Sequence, residues 1–99
     1  MILTTLHFVA QEYAMVSSGS TCERVTSKAE CEEAARQLSL MDTSAYELSD
    51  SNYPAYCYYK PSDEELYFNS NTDNTNCTSE RNCLCKRNTV ATSLAAGKS

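Results

Sequence analysis

The chain has 99 residues, with 13 acidic and 8 basic side chains and a formal charge of −5. That length allows one small domain, and the acidic balance excludes a polyanion partner, because nucleic-acid binding rests on a basic face that releases counterions. No apolar run approaches the roughly 20 residues needed to cross a bilayer, so no membrane span is expected.

From the head, residues 1–12, into the start of the domain, Ile2, Leu6, Val9 and Tyr13 recur at helical spacing while Thr4, Thr5 and Gln11 fall elsewhere. Those four residues make the segment a candidate partner-docking helix; the same stretch can also pack back on its own domain. It is a poor signal peptide, since Thr4, Thr5, His7 and Gln11 interrupt it and no basic region precedes it. An exported chain would then carry its targeting signal elsewhere, as in a processed product or a fragment.

Tyr13-Ala14-Met15-Val16 predicts a short strand, and Ser17-Ser18-Gly19-Ser20 a turn. Ser27-Lys28-Ala29-Glu30 fits a capping box, in which the serine hydroxyl takes the Glu30 amide and the glutamate reaches back. A helix starting there lines Cys31, Ala34, Ala35 and Leu38 along one face, and its alanines allow close approach to a sheet. Residues 41–53 are rich in turn and cap formers and read as loop with one short strand. Ala55–Tyr59 and Leu66–Asn69 predict a hairpin around Lys60–Glu65. Residues 70–76 form a polar surface loop, Cys83–Lys86 a last strand with both cysteines on one side, and 88–99 a tail.

The 6 cysteines all lie between residues 22 and 85. An even count in so short a chain indicates a disulfide-stapled domain, here spanning 13–87, secreted or held in an oxidising lumen. A cytosolic protein with reduced thiols is the alternative. Staples are expected, because a core of this size gives only marginal stability.

Cys22, the run Ser27-Lys28-Ala29-Glu30-Cys31-Glu32 with Ala34, Ala35 and Leu38, then Tyr53-Pro54, Cys57-Tyr58-Tyr59, Leu66-Tyr67-Phe68-Asn69 and Cys83-Leu84-Cys85 carry a resemblance. Over 13–87 the chain resembles a small cysteine-rich module recurrent in exported proteins of microalgae, dinoflagellates and other marine protists. It departs from that module at Tyr56, where a glycine often precedes the cysteine. The resemblance implies an exported module, one among others in its parent protein, with no assigned activity.

Cys22 lies just after the first strand and Cys85 in the last, which makes them natural partners joining the two ends of the domain; Cys31 faces inward from the helix onto the strand of Cys57; Cys77 and Cys83 bracket a small loop. Exchange of Cys83 and Cys85 remains the main rival. Metal binding fits poorly, because only Cys83 and Cys85 are close and His7 lies far outside the cluster. Asn69, Asn71, Asp73 and Glu80 fall in a calcium-loop frame, but Asn74 replaces its glycine and Cys77 a ligand position. Asn76-Cys77-Thr78 is an N-glycosylation sequon whose middle residue is a half-cystine, and prior oxidation of Cys77 would suppress it.

A single histidine, no phosphate loop and no nucleophile–base pair leave no catalytic residues to name, and Asp63-Glu64-Glu65 reads as a solvated turn. Of the 7 tyrosines, Tyr53, Tyr56, Tyr58, Tyr59 and Tyr67 gather around the hairpin. Strand alternation sets Tyr56 and Tyr58 on one face and Cys57 and Tyr59 on the other. Tyr53, Tyr56, Tyr58, Tyr67 and Asn69 are the candidate binding residues, for a protein surface or a sugar ring; tyrosines filling a small core are the alternative. The expectation is therefore a small disulfide-rich α+β domain, one helix packed on a short antiparallel sheet, without cofactor or metal. Its expected role is a non-catalytic protein-interaction module or accessory structural subunit of a larger exported or lumenal assembly, or alternatively a carbohydrate-binding module of an algal cell surface.

Overall fold

A computed structural model describes residues 11–19 and 22–87. Among them lie one helix and six strands: β1 (Glu12–Val16), β2 (Glu23–Arg24), α1 (Lys28–Gln37), β3 (Tyr46–Leu48), β4 (Tyr56–Lys60), β5 (Glu65–Asn69) and β6 (Asn82–Arg87). They form one sheet in the order β1-β6-β4-β5-β3, and β2 also pairs with β6. β1 holds one edge of β6; β2 (on Cys85 and Lys86) and β4 (on Asn82 and Cys83) share the other, end to end.

Helix α1 begins where the cap predicts, with the Ser27 hydroxyl accepting from the Glu30 amide at 3.1 Å. Glu30 does not reach back as a capping box requires. Its carboxylate instead accepts from the Tyr13 hydroxyl at 2.7 Å and lies 3.7 Å from the Lys86 ammonium, which ties α1 to β1 and β6. Cys31, Ala34 and Ala35 are fully buried, so the alanine face brings the helix down on the sheet. Val25, Cys57, Tyr59, Leu66, Phe68 and Leu84 complete that core beneath it.

The sheet is mixed, which corrects the expected short antiparallel one. β3 runs parallel to β5, with Tyr46 opposite Tyr67 and Leu48 opposite Asn69. The reason is topological: β5 turns back from β4 into the space between β3 and β4, so the 49–55 connection must cross the end of β5. Asn69 stands at that crossing, fully buried. Its amide donates to the carbonyls of Asp50, Tyr53 and Pro54 at 2.8 to 3.1 Å, and its oxygen accepts from the amides of Asp50 and Asn71 at 3.0 Å.

Tyr56 also departs from the expected alternation. Its φ is 68°, in the left-handed region that favours glycine and that bulky residues seldom occupy. The turn leaves its ring 6.3 Å from that of Phe68, packed against the helix-side core rather than beside Tyr58.

The disulfides are Cys22–Cys85, Cys31–Cys57 and Cys77–Cys83; among the described residues no cysteine is free. Cys83 and Cys85 lie two apart on β6 and share the face turned away from α1, where their bridges form a second small core with Val16. Three bridges in a chain of this size agree with an oxidising, extracellular or lumenal environment. Among the described residues no helix is long and apolar enough to cross a membrane.

Candidate functional site

The sheet face away from α1 has two halves. One is the pair of β6 disulfides; the other is a row of tyrosines built by strand register. Tyr46 sits opposite Tyr67 across β3–β5, and Tyr67 opposite Tyr58 across β5–β4. The rings follow. Tyr58 and Tyr67 stack with centroids 5.0 Å apart, Tyr46 meets Tyr67 edge-on at 6.1 Å and 85°, and Tyr53 leans on Tyr58 at 6.3 Å. Arg81 closes the far end, its guanidinium carbon 4.0 Å from the Tyr53 centroid.

Exposure divides this row. Tyr58 is only 1% exposed, covered by its neighbours, and burial raises its pKa although the Arg81 guanidinium opposes the shift. Tyr46 at the outer end is 66% exposed. Beside it opens a notch of about 320 Å³ lined by Asp42, Tyr46, Glu65, Leu66 and Tyr67.

The chain builds this notch by starting β3 only at Tyr46. β3 pairs only with residues 67–69 of β5, so the Leu66 amide faces outward beyond the strand's start. The Asp42 carboxylate accepts from that amide at 3.0 Å and, with its other oxygen, from the Ser44 amide at 2.9 Å, which fixes a negative charge at the rim. Glu65 supplies a second carboxylate, 2.5 Å from the Tyr67 hydroxyl that donates to it. That bond, then burial, raises the Tyr67 pKa, so the phenol stays protonated and its donor stays committed to Glu65. The notch therefore presents two ring surfaces near right angles between two carboxylates, an arrangement suited to a cationic group.

Of the predicted binding residues, Tyr53, Tyr58 and Tyr67 are thus brought together, although Tyr58 is buried and offers no contact surface. Tyr56 turns to the other core, where its ring is half-buried beside Phe68, and Asn69, fully buried, is consumed in holding the 50–54 connection. Of the docking residues, Ile2, Leu6 and Val9 lie outside the described residues. Tyr13 is buried, its hydroxyl on Glu30, and belongs to the domain core instead of a docking face. Tyr46 and Asp42 complete the notch and were not singled out from sequence. The one available signal was the expectation of a short strand within 41–53, because a strand there had to pair with an aromatic-rich neighbour.

In the calcium-loop frame, the Asn71 side chain accepts from the Asp73 amide at 2.9 Å, and Asn74 likewise from Asn76 at 3.0 Å. Asn69 is buried, so the side-chain oxygens of Asn69 and Asn71 in that frame are engaged by backbone amides. Among the described residues no group of three or more His, Cys, Asp or Glu side chains is placed to hold a metal ion.

Comparison of the chain with protein-family models, with curated proteins and with solved structures gives no match.

Proposed function

We propose that the protein is a non-catalytic interaction module of a larger exported or lumenal assembly, and that it takes a lysine or arginine side chain of its partner into the notch at Tyr46. The observation that carries this reading is a two-thirds exposed tyrosine standing edge-on to Tyr67 between Asp42 and Glu65. An exposed ring of that size is a surface that a partner can bury, and tyrosines are enriched at the buried centres of such contacts. The two carboxylates and the ring faces select a cation, and the formal charge of −5 adds a long-range attraction for a basic segment.

The test is binding of the whole protein to arrays of lysine- and arginine-bearing peptides and, in parallel, of glycans. Basic peptides should be retained, with affinity that falls as salt rises. Tyr46→Ala and Glu65→Gln should each weaken retention by about tenfold. Retention of glycans alone would replace this reading with the carbohydrate-binding one. Peptide binding indifferent to Tyr46→Ala would place the contact elsewhere.

A further inference from the structure

Asn76 stands in the sequon Asn76-Cys77-Thr78, at the end of the 70–76 loop. In the folded domain it is exposed, whereas Cys77 next to it is only 4% exposed and bonded to Cys83. The Cys77 amide donates to the Gly19 carbonyl at 2.8 Å in an isolated β-bridge. Thr78 is folded onto Arg81: its amide donates to the Arg81 carbonyl, and its hydroxyl accepts from the Arg81 amide, both at 3.0 Å. Asn71 and Asn74 in the same loop each spend a side-chain oxygen on a loop amide, while the Asn76 side chain makes no hydrogen bond within the described residues.

We infer that Asn76 is an N-glycosylation acceptor whose modification must precede closure of the Cys77–Cys83 bridge. The donor class is an oligosaccharide joined through a diphosphate to a lipid. The Asn76 side-chain nitrogen attacks the sugar's anomeric carbon, a C–N bond forms and the C–O bond to the diphosphate breaks. The lipid diphosphate leaves, and the amide gives up one proton to a base of the transferase. An enzyme that reads the Asn76 amide and the Thr78 hydroxyl together needs the three residues drawn out of the domain. The bridge, the Gly19 contact and the Thr78–Arg81 turn hold them in. Closure of the bridge competes with that access: the two thiols lose two electrons and two protons to a lumenal disulfide donor, which becomes a dithiol, and the acceptor segment is then locked. Only six residues of sequence separate Cys77 from Cys83, so closure requires little chain to be in place and occurs soon after Cys83 enters the lumen.

Once added, the glycan would sit at the end of the β4–β5 hairpin opposite its Pro61–Glu64 turn. There Asn74 receives the Ala55 amide and Arg24 holds the carbonyls of Ala55 and Thr75. The Glu65 end of the hairpin, with the notch, stays clear.

The experiment expresses the whole chain behind a secretion signal in a eukaryotic host and reads the mass shift removed by an amidase specific for N-glycans. The wild type should be occupied in part. Cys77→Ser with Cys83→Ser keeps a valid sequon and removes the bridge, and occupancy should rise several-fold. A pulse of reductant during synthesis of the wild type should do the same, without relying on any variant's folding. Asn76→Gln should abolish the shift. No glycan under any of these conditions would refute the site, and equal occupancy with and without the bridge would refute the order.

Discussion

Asn69 and Asp50 exchange two hydrogen bonds, the Asn69 amide donating to the Asp50 carbonyl at 2.8 Å and the Asp50 amide donating to the Asn69 oxygen at 3.0 Å. Through this pair the side chain behaves as a piece of backbone, closing the crossing that makes the sheet mixed. Asn69→Asp keeps the shape but turns a carboxylate oxygen toward the three carbonyls that now receive N–H groups. It should cost about 3 kcal/mol in chemical denaturation, since buried acceptors lose their donor and a charge is buried beside them. A cost below about 1 kcal/mol would mean that the crossing holds without Asn69.

The Tyr13–Glu30 bond makes an alkaline limb in stability. Burial, then the bond to Glu30, holds the Tyr13 pKa well above its ordinary value near 10. The folded state thus keeps a proton that the unfolded chain releases, so this contribution is whole below about pH 10 and is lost as pH rises beyond it. Tyr67, raised chiefly by its bond to Glu65, acts in the same direction. Tyr13→Phe should cost about 1 kcal/mol at neutral pH. It should also flatten part of the fall in unfolding midpoint from about pH 10 upward. An unchanged alkaline limb in both Tyr13→Phe and Tyr67→Phe would show that the phenols do not drive it.

Tyr56, at a φ of 68°, carries a side chain where glycine is favoured. In an ordinary strand glycine is worse than alanine by about 0.5 to 1 kcal/mol. Here the order should invert. Both Tyr56→Gly and Tyr56→Ala lose the packing on Phe68, but only glycine is relieved of the left-handed penalty of about 1 to 2 kcal/mol. Tyr56→Gly should therefore be more stable than Tyr56→Ala by about 1 kcal/mol, read from paired denaturation curves. The ordinary order would mean that the backbone at 56 is not held in that region.

Where the chain states its own local geometry, the sequence was legible. Ser27 and the Cys31, Ala34, Ala35 stripe gave the helix and its buried face, and the aromatic runs around Pro61 gave the hairpin. The parallel β3 was not legible, because three residues with exposed Tyr46 and Glu47 carry no period, and their pairing is imposed from the far side by Asn69. For the same reason the notch was half seen. Tyr67 follows from the hairpin, but Tyr46 and Asp42 arrive only through that long-range pairing. Tyr56 misled because alternation presumes regular dihedrals, which this residue does not have. Glu30 fits a local capping box by its spacing from Ser27, whereas its carboxylate is engaged by Tyr13 and Lys86, which are distant in sequence.

The three bridges should differ in weight, and two effects compete in setting the order. Sequence separations of 63, 26 and 6 for Cys22–Cys85, Cys31–Cys57 and Cys77–Cys83 give loop-entropy contributions of about 4, 3.5 and 2 kcal/mol. On that ground alone the first two are nearly equal. Burial separates them: Cys31 and Cys57 are both 0% exposed, between the alanine face of α1 and β4. Replacing both by alanine leaves a void under the helix and adds about 1 to 2 kcal/mol. Cys22 is only half-buried, and its loss should leave a smaller defect. The double variant Cys31→Ala with Cys57→Ala should thus be the least stable, Cys22→Ala with Cys85→Ala next, and Cys77→Ala with Cys83→Ala still folded at room temperature. Urea midpoints on the three double variants measure this directly. If the Cys77–Cys83 variant proved the least stable, the short loop would be holding the β1–β6 half of the sheet together, and loop entropy would be the wrong basis for ranking the staples.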